Sequence, residues 1–175
     1  MWNVTEDLRS CRFDPAAHDV EGFSCGEVGL DAWLREHAAE ADRRRTSRTW
    51  VWVDDQDRVR AYFALAAHVV ARGDVPSRVG RGGPAEIPAV LLAKLALDVT
   101  LQGKGLGSLL VADALERVLV ATDIVGARLV VVDALSPDLA GFYERMGFRR
   151  IPDSLLLVQK VADLRAAHDD AQRTS

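Results

Sequence analysis

The sequence has little cysteine, few aromatic residues, no excess of basic charge and no long apolar run. Its two cysteines, Cys11 and Cys25, form no Cys-x-x-Cys pair among 175 residues. Two thiols are too few for a disulfide framework and are typical of a protein in the reducing cytoplasm. No stretch reaches the roughly 18 consecutive apolar residues that a membrane span needs. The first fifteen residues are charged and lack an apolar run, so we expect no signal peptide.

The charge is unevenly distributed. The net charge is −4, from 22 basic and 26 acidic residues, which argues against a general nucleic-acid-binding protein. Residues 35–81 nevertheless hold ten arginines and seven acids, so this segment is +3 and the remainder is −7. The sequence therefore allows a local basic surface on an acidic protein.

The hydrophobic periodicity predicts one α/β domain with a mixed sheet over residues 1–162. We expect a helix from Leu30 that ends in an arginine run, a loop at 72–88, and a polar, flexible tail at 163–175. The predicted strands cover residues 49–53, 58–70, 90–99, 128–134 and 155–161, and further helices begin at Leu106 and Pro137.

A glycine-rich turn, QGKGLG at 102–107, lies between a predicted strand and a predicted helix. The first N–H groups of a helix lack internal partners and attract anions, and glycine lets the backbone approach a phosphate closely. The spacing fits neither the Walker pattern nor the dinucleotide pattern. Taken alone, the turn is either an anion-binding loop or a turn without a ligand.

Two motifs decide between these interpretations. The strand KLALDV at 94–99 followed by QGKGLG resembles the strand and Gln-x-x-Gly-x-Gly motif of GNAT-superfamily N-acetyltransferases. About forty residues later, FYERMGF at 142–148 is similar to their Phe-Tyr-x-x-x-Gly-Phe element. The resemblance implies a GNAT fold: a central mixed, twisted sheet, flanked by helices, in which a splayed parallel strand pair binds acetyl-CoA.

The resemblance also implies how acetyl-CoA is held. The backbone of the strand would pair with the pantetheine amides, and the N–H groups of residues 103–108 would bind the pyrophosphate. The implied cofactor-binding residues are Leu95, Ala96, Leu97, Val99, Gln102, Gly103, Lys104, Gly105, Leu106, Gly107, Ser108 and Phe142. The asparagine often found after the following strand in this family is replaced here by ALSPD at 134–138.

The catalytic residue that the resemblance implies is Tyr143, whose hydroxyl would protonate the departing CoA thiolate. A tyrosine pKa near 10 keeps that proton available at neutral pH. The alternative is that Tyr143 only packs beneath the CoA arm. Asp98 could hold a water or stabilise a turn, so no general base is evident. An α-amino group with a pKa of about 7.7–8.0 is partly neutral without a base, so it suits the site better than lysine.

A longer match points to one branch, the GNAT toxins of bacterial toxin–antitoxin pairs. It includes FSCG at 23–26, RTWV at 48–51, AYFALA at 61–66, IPAVLLAKLA at 87–96 and IVGAR at 124–128. This resemblance implies acetylation of the α-amine of aminoacyl-tRNA in the cytoplasm, and a ribbon-helix-helix antitoxin as partner; a homodimer is a further expectation. The cations that could contact tRNA phosphates are Arg43, Arg44, Arg45, Arg78, Arg81 and Lys94.

Two other functions stay open at this stage. The net negative charge suits an acetyltransferase that acts on a small amine or on a protein N-terminus. A CoA-binding or antitoxin-binding module without catalysis would carry the same cofactor motifs. The four histidines, at 18, 37, 68 and 168, show no metal-ligand spacing, so we expect no metal.

Overall fold

Strands and helices alternate along the chain in the computed structural model, which describes residues 2–5 and 7–174. Met1, Glu6 and Ser175 lie outside the described residues. The strands are β1 (Trp2–Thr5), β2 (Leu8–Arg12), β3 (Arg48–Val53), β4 (Val59–Ala71), β5 (Glu86–Leu97), β6 (Leu129–Asp133), β7 (Arg149–Arg150) and β8 (Leu156–Lys160). The helices are α1 (Val28–Glu36), α2 (Ala38–Arg43), α3 (Ser77–Gly80), α4 (Leu106–Ile124), α5 (Pro137–Arg145) and α6 (Val161–Thr174).

The chain divides into two compact units. Unit 1 contains residues 1–66 and 93–114, and unit 2 contains residues 67–92 and 115–175. The chain crosses from one unit to the other within β4, β5 and α4.

Unit 1 is built on an antiparallel sheet in which β2 pairs with β1 and β3, and β3 pairs with β4. The strands predicted at 49–53 and 58–70 form an antiparallel hairpin: Trp50 of β3 lies opposite Phe63 of β4, and their rings stack 5.6 Å apart. Alternate residues of β3 point into a core that includes Leu34 of α1 and Tyr62 of β4. Burial of this apolar face holds the helices and the sheet together.

Unit 2 contains the parallel pair of the fold. Residues 89–92 of β5 pair in parallel with residues 129–132 of β6, and β8 is antiparallel to both β6 and β7. The four apolar residues of β6 are all buried, as a parallel strand covered on both faces requires. The mixed sheet with a parallel pair and flanking helices is the predicted fold class.

The beginning of α5 follows the sequence closely. The Ser136 hydroxyl accepts a hydrogen bond from the Leu139 N–H at 3.3 Å, and Pro137 occupies the first turn. Proline suits this position because its missing N–H would have had no helical partner. After the helix, Gly147 takes a φ of +99°, a conformation that favours glycine.

Three expectations from the sequence are wrong, and two strands were not predicted. The helix from Leu30 is two helices, because His37 leaves helical geometry. The 72–88 loop contains α3, and β5 begins at Glu86 rather than at residue 90. Strands β1 and β2 had no predicted counterpart.

The 163–175 tail, expected to fray, is helical through Thr174 in α6. The helix is held because Leu164 is buried and Arg165 donates to the Leu119 carbonyl at 3.1 Å.

Candidate active site

The loop between β5 and α4 is shaped to present backbone N–H groups. Gly103 and Gly105 take φ values of +74° and +76°, on either side of Lys104. A Cβ at either glycine would meet no atom within 4 Å, so conformation rather than space requires glycine here. Left-handed residues interleaved in a turn aim successive N–H groups at one point, and the start of α4 adds the positive end of a helix dipole. This loop fits a pyrophosphate.

Asp98 stabilises the turn that leads into this loop. It is 3% exposed, and its carboxylate accepts hydrogen bonds from the Thr100 N–H (3.0 Å), the Thr100 hydroxyl (2.6 Å) and the Ser24 N–H (3.1 Å). Burial alone would raise the pKa of Asp98, but these hydrogen bonds hold the pKa below its ordinary value. Of the two roles that the sequence left open for Asp98, the structure supports turn stabilisation.

Gln102 is exposed, but its side-chain amide bonds back to the protein. Its amide nitrogen donates to the carbonyl oxygens of Leu97 and Cys25, both at 2.8 Å. The side chain therefore joins the end of β5 to the segment that precedes α1. Nothing in the sequence signalled this orientation.

The other cofactor-binding candidates of unit 1 follow one another along β5, the loop and the first turn of α4. Ala96 is buried in the core of unit 1, while Leu95 and Leu97 are half-buried. Val99 is 50% exposed. Gly103, Lys104, Gly105 and Ser108 are exposed, and Leu106 and Gly107 are half-buried.

Tyr143 lies on α5 in unit 2 among aromatic rings. Phe142 and Phe148 contact it edge-on, with ring centroids 5.3 and 5.7 Å away. The tyrosine is 5% exposed, and burial raises the pKa of its hydroxyl to about 12. The phenol therefore stays protonated throughout the physiological pH range, as a proton donor must.

The arginine run of unit 1 is partly neutralised. Arg43 and Arg44 both pair with Glu40, whose pKa is lowered by hydrogen bonds first from Arg43 and then from Arg44. Arg45 is exposed and takes a φ of +60° just after α2. The Lys94 ammonium lies 5.6 Å from the centre of the Trp33 ring, a cation–π contact. Trp33 in turn stacks on Tyr62 at 5.9 Å.

In addition to Arg78 and Arg81, unit 2 contains cations that the sequence did not single out. A surface cavity of about 480 Å³ is lined by Arg128, Lys160 and Arg165, and Lys160 also lines a smaller cavity beside Arg78 and Arg149. We call these five residues the unit 2 basic groove; Asp123 and Asp163 also line its walls. Arg81 is exposed and lines a different cavity with Arg72. These cations are far apart in the sequence, so no contiguous motif indicated the groove.

His37 and His68 are exposed. Among residues 2–5 and 7–174, no group of three or more His, Cys, Asp or Glu side chains is arranged to hold a metal ion. Across the same residues, no helix is both long and apolar enough to cross a membrane.

Comparison with known proteins identifies the family. Residues 45–150 match the Acetyltransferase (GNAT) domain family. The chain belongs to the GNAT acetyltransferases. A GNAT acetyltransferase transfers an acetyl group from acetyl-CoA, and the β5–α4 loop described above fits the pyrophosphate of that donor.

The relatives of this GNAT acetyltransferase include toxins. It is 41% identical over 155 residues to the tRNA-acetylating toxin of Mycobacterium tuberculosis (strain ATCC 25618 / H37Rv), covering 88% of this chain and 93% of the relative. It is 28% identical to the probable toxin TacT of Sinorhizobium fredii (strain NBRC 101917 / NGR234), and the match covers 79% of this chain and 82% of TacT. AtaT complexed with acetyl-methionyl-tRNAfMet superposes with a TM-score of 0.85 at 28% identity, covering 93% of this chain and 99% of AtaT.

Proposed function

We propose that this protein acetylates the α-amine of aminoacyl-tRNA and thereby blocks translation, as the toxin of a toxin–antitoxin pair. The observation that carries the proposal is the 41% identity, over nearly the whole chain, to a tRNA-acetylating toxin. The fold shared with AtaT, solved with acetyl-methionyl-tRNAfMet, supports it. The toxin then acts in the cytoplasm, where charged tRNA is found.

The proposed reaction forms a C–N bond and breaks a C–S bond. The neutral α-amine attacks the thioester carbon of acetyl-CoA, and the oxyanion accepts a hydrogen bond from a strand N–H around Leu97. As the C–S bond breaks, the Tyr143 hydroxyl donates its proton to the thiolate sulfur. The acceptor nitrogen loses its proton, so the products are an N-acetyl group and free CoA thiol.

The raised pKa of Tyr143 constrains when its proton moves. A thiol has an ordinary pKa of about 8.5, well below the value of about 12 for Tyr143. Full transfer from tyrosine to thiolate would therefore be uphill unless the phenolate regains a proton in the same step. We propose that this proton comes from the acceptor nitrogen, which carries a positive charge after attack.

No carboxylate in the β5–α4 turn is available as a general base, because Asp98 is engaged by Thr100 and Ser24. The acceptor must therefore supply its own neutral fraction. An α-amine does so at pH 7–8, whereas only about one lysine in a thousand is neutral there. This supports aminoacyl-tRNA over protein lysines as the acceptor.

The cations of both units are the proposed phosphate contacts. In unit 1 these are Arg43, Arg44, Arg45 and Lys94, of which Arg43 and Arg44 share Glu40 and so contribute less net charge. In unit 2 they are Arg81 and the five residues of the unit 2 basic groove. Cations clustered on an otherwise acidic chain suit a polyanion such as the tRNA acceptor stem.

We propose a small antitoxin of the ribbon-helix-helix class as the protein partner, and a homodimer as the active assembly. Structures of AtaT with the C-terminus of the antitoxin AtaR, and of a KacTA–DNA complex, have TM-scores of 0.79 to this chain at 26% and 30% identity. An adjacent reading frame that encodes such a protein, and its co-purification with this chain, would support the pairing.

The test is transfer of radiolabelled acetyl from acetyl-CoA to a pool of charged tRNA. We expect label on charged tRNA, none on uncharged tRNA, and release of N-acetyl amino acid on mild alkaline hydrolysis. Label on free amines or on protein N-termini, with none on charged tRNA, would reject the proposal and favour the small-amine or N-terminal acetyltransferase.

A further inference from the structure

Ser24 and Cys25, which precede α1, are hydrogen-bonded to the beginning of the β5–α4 loop. The Val99 N–H donates to the Ser24 carbonyl at 2.8 Å, and the Ser24 N–H donates to Asp98 at 3.1 Å. One residue further on, the Gln102 side chain donates to the Cys25 carbonyl at 2.8 Å. The loop that would hold the pyrophosphate therefore rests on a second piece of chain, distant in sequence.

This supporting segment is itself fixed. The Cys25 N–H donates to the carboxylate of Asp31 at 2.9 Å, and Asp31 is 7% exposed on α1. The adjacent residue of α1 is a second anchor, because the Tyr62 hydroxyl donates to the Leu30 carbonyl at 2.7 Å. Because Cys25 is held by a buried group, a bond from Gln102 to Cys25 restrains the loop rather than the segment.

Gln102 cannot perform this role and also donate to the cofactor. A primary amide has two N–H hydrogens, and the Leu97 and Cys25 carbonyls accept both. The geometry points to Gln102 as a positioning residue, which holds residues 103–105 in their anion-binding conformation through Leu97 and Cys25. The proposal rests on acetyl-CoA binding and is independent of the acceptor.

The physical benefit of this arrangement is preorganisation. Gly103 and Gly105 lose more backbone freedom on ordering than other residues would. A loop that is already ordered before acetyl-CoA arrives does not lose that entropy on binding, so affinity rises without a new contact to the ligand. Gln102 and Asp98 restrain the same segment, so the effects of substituting them should not be independent.

The decisive variant is Gln102→Met, which keeps the chain length and removes both donors. We expect the Kd for acetyl-CoA, measured by calorimetry, to rise roughly 10-fold, the size of two hydrogen bonds of ordinary net strength. The kcat at saturating acetyl-CoA should fall by less than about 3-fold, because the reacting atoms are untouched. The Kd for acetyl-pantetheine, which lacks the pyrophosphate, should stay within about 2-fold. Gln56→Met, at an exposed glutamine in the β3–β4 turn, is the matched control.

Hydrogen exchange in the ligand-free protein separates positioning from direct contact. In Gln102→Met we expect faster exchange of the Val99 amide before any cofactor is added, while the Cys25 amide, which is held by Asp31, keeps its rate. A weaker Kd with unchanged exchange would mean that Gln102 touches the cofactor directly, and would overturn the proposal. An unchanged Kd would overturn it as well.

A second variant keeps the test valid if Gln102→Met folds poorly. Asp98→Asn removes an acceptor from the Ser24 N–H and should give the same pattern of a raised Kd and faster Val99 exchange. In the double variant, the rise in Kd should be smaller than the product of the two single effects. Fully multiplicative effects would show that the two side chains act independently, contrary to the proposal.

Discussion

The Ser10 hydroxyl donates a 2.6 Å hydrogen bond to the Asp113 carboxylate, and both side chains are buried. The indole N–H of Trp52 donates to the same oxygen at 2.9 Å. The carboxylate thus ties β2 and β3 to α4 inside unit 1. A buried ionisable group with two protein donors is costly to disturb, because removing it leaves those donors without an acceptor.

We predict that Asp113→Ala lowers the free energy of unfolding by about 3 kcal/mol, since two buried donors lose their acceptor. For a chain of this size, that corresponds to a fall in Tm of roughly 6–12 °C in a calorimetric scan. Asp170→Ala, at an exposed position near the end of α6, is the control and should change Tm by at most about 2 °C. Equal effects of the two substitutions would show that the buried network adds nothing.

Replacing the phenol of Tyr143 tests its proposed role as proton donor. We predict that Tyr143→Phe lowers kcat by about 10²-fold, the usual size of a general-acid effect, with little change in the KM for acetyl-CoA. The chain has one other tyrosine, Tyr62, whose hydroxyl donates to the Leu30 carbonyl at 2.7 Å. Tyr62→Phe should therefore reduce stability by about 1 kcal/mol and preserve kcat. A fully active Tyr143→Phe enzyme would assign Tyr143 to packing alone.

The pH profile follows from the raised pKa of Tyr143. The proton donor is active when protonated, so a pKa of about 12 places its loss far above the working range. The acceptor amine must be neutral, so kcat/KM should rise with pH up to about 8 and then remain level to about 9.5. Initial rates with charged tRNA from about pH 6 to pH 9.5 measure this. A decline that sets in near pH 9 would contradict the shift at Tyr143.

The unit 2 basic groove predicts a salt-dependent contribution to tRNA binding. Lys160→Ala should raise the KM for charged tRNA about 3- to 10-fold and reduce the slope of log K against log salt by about one unit. The KM for acetyl-CoA should not change. Arg173→Ala removes a charge of the same sign from the end of α6, where it pairs with Asp170, and serves as control. If Lys160→Ala left the salt slope unchanged, tRNA would not contact this groove.

The sequence was most informative where a single residue type fixes the local conformation. Pro137 predicted the start of α5, and the apolar run of β6 predicted a strand. It was least informative where burial depends on distant partners. Strand β2 has only five residues, and its register is set by pairing with β3 rather than by its own sequence. The helicity of the tail depends on Leu164 and Arg165 reaching their contacts within unit 2.

From the sequence, the periodic apolar pattern predicted an α/β domain with a mixed sheet, and the resemblance of two short motifs to GNAT enzymes implied the family and the loop proposed to hold the cofactor, because both are local properties of the chain. The tertiary structure alone decided the direction of the Gln102 side chain, the buried partners of Asp113 and the grouping of Lys160 with Arg78 and Arg149. Each of these joins residues that are far apart in the chain. Such contacts follow from how strands and helices pack, and no residue spacing in the sequence predicts them.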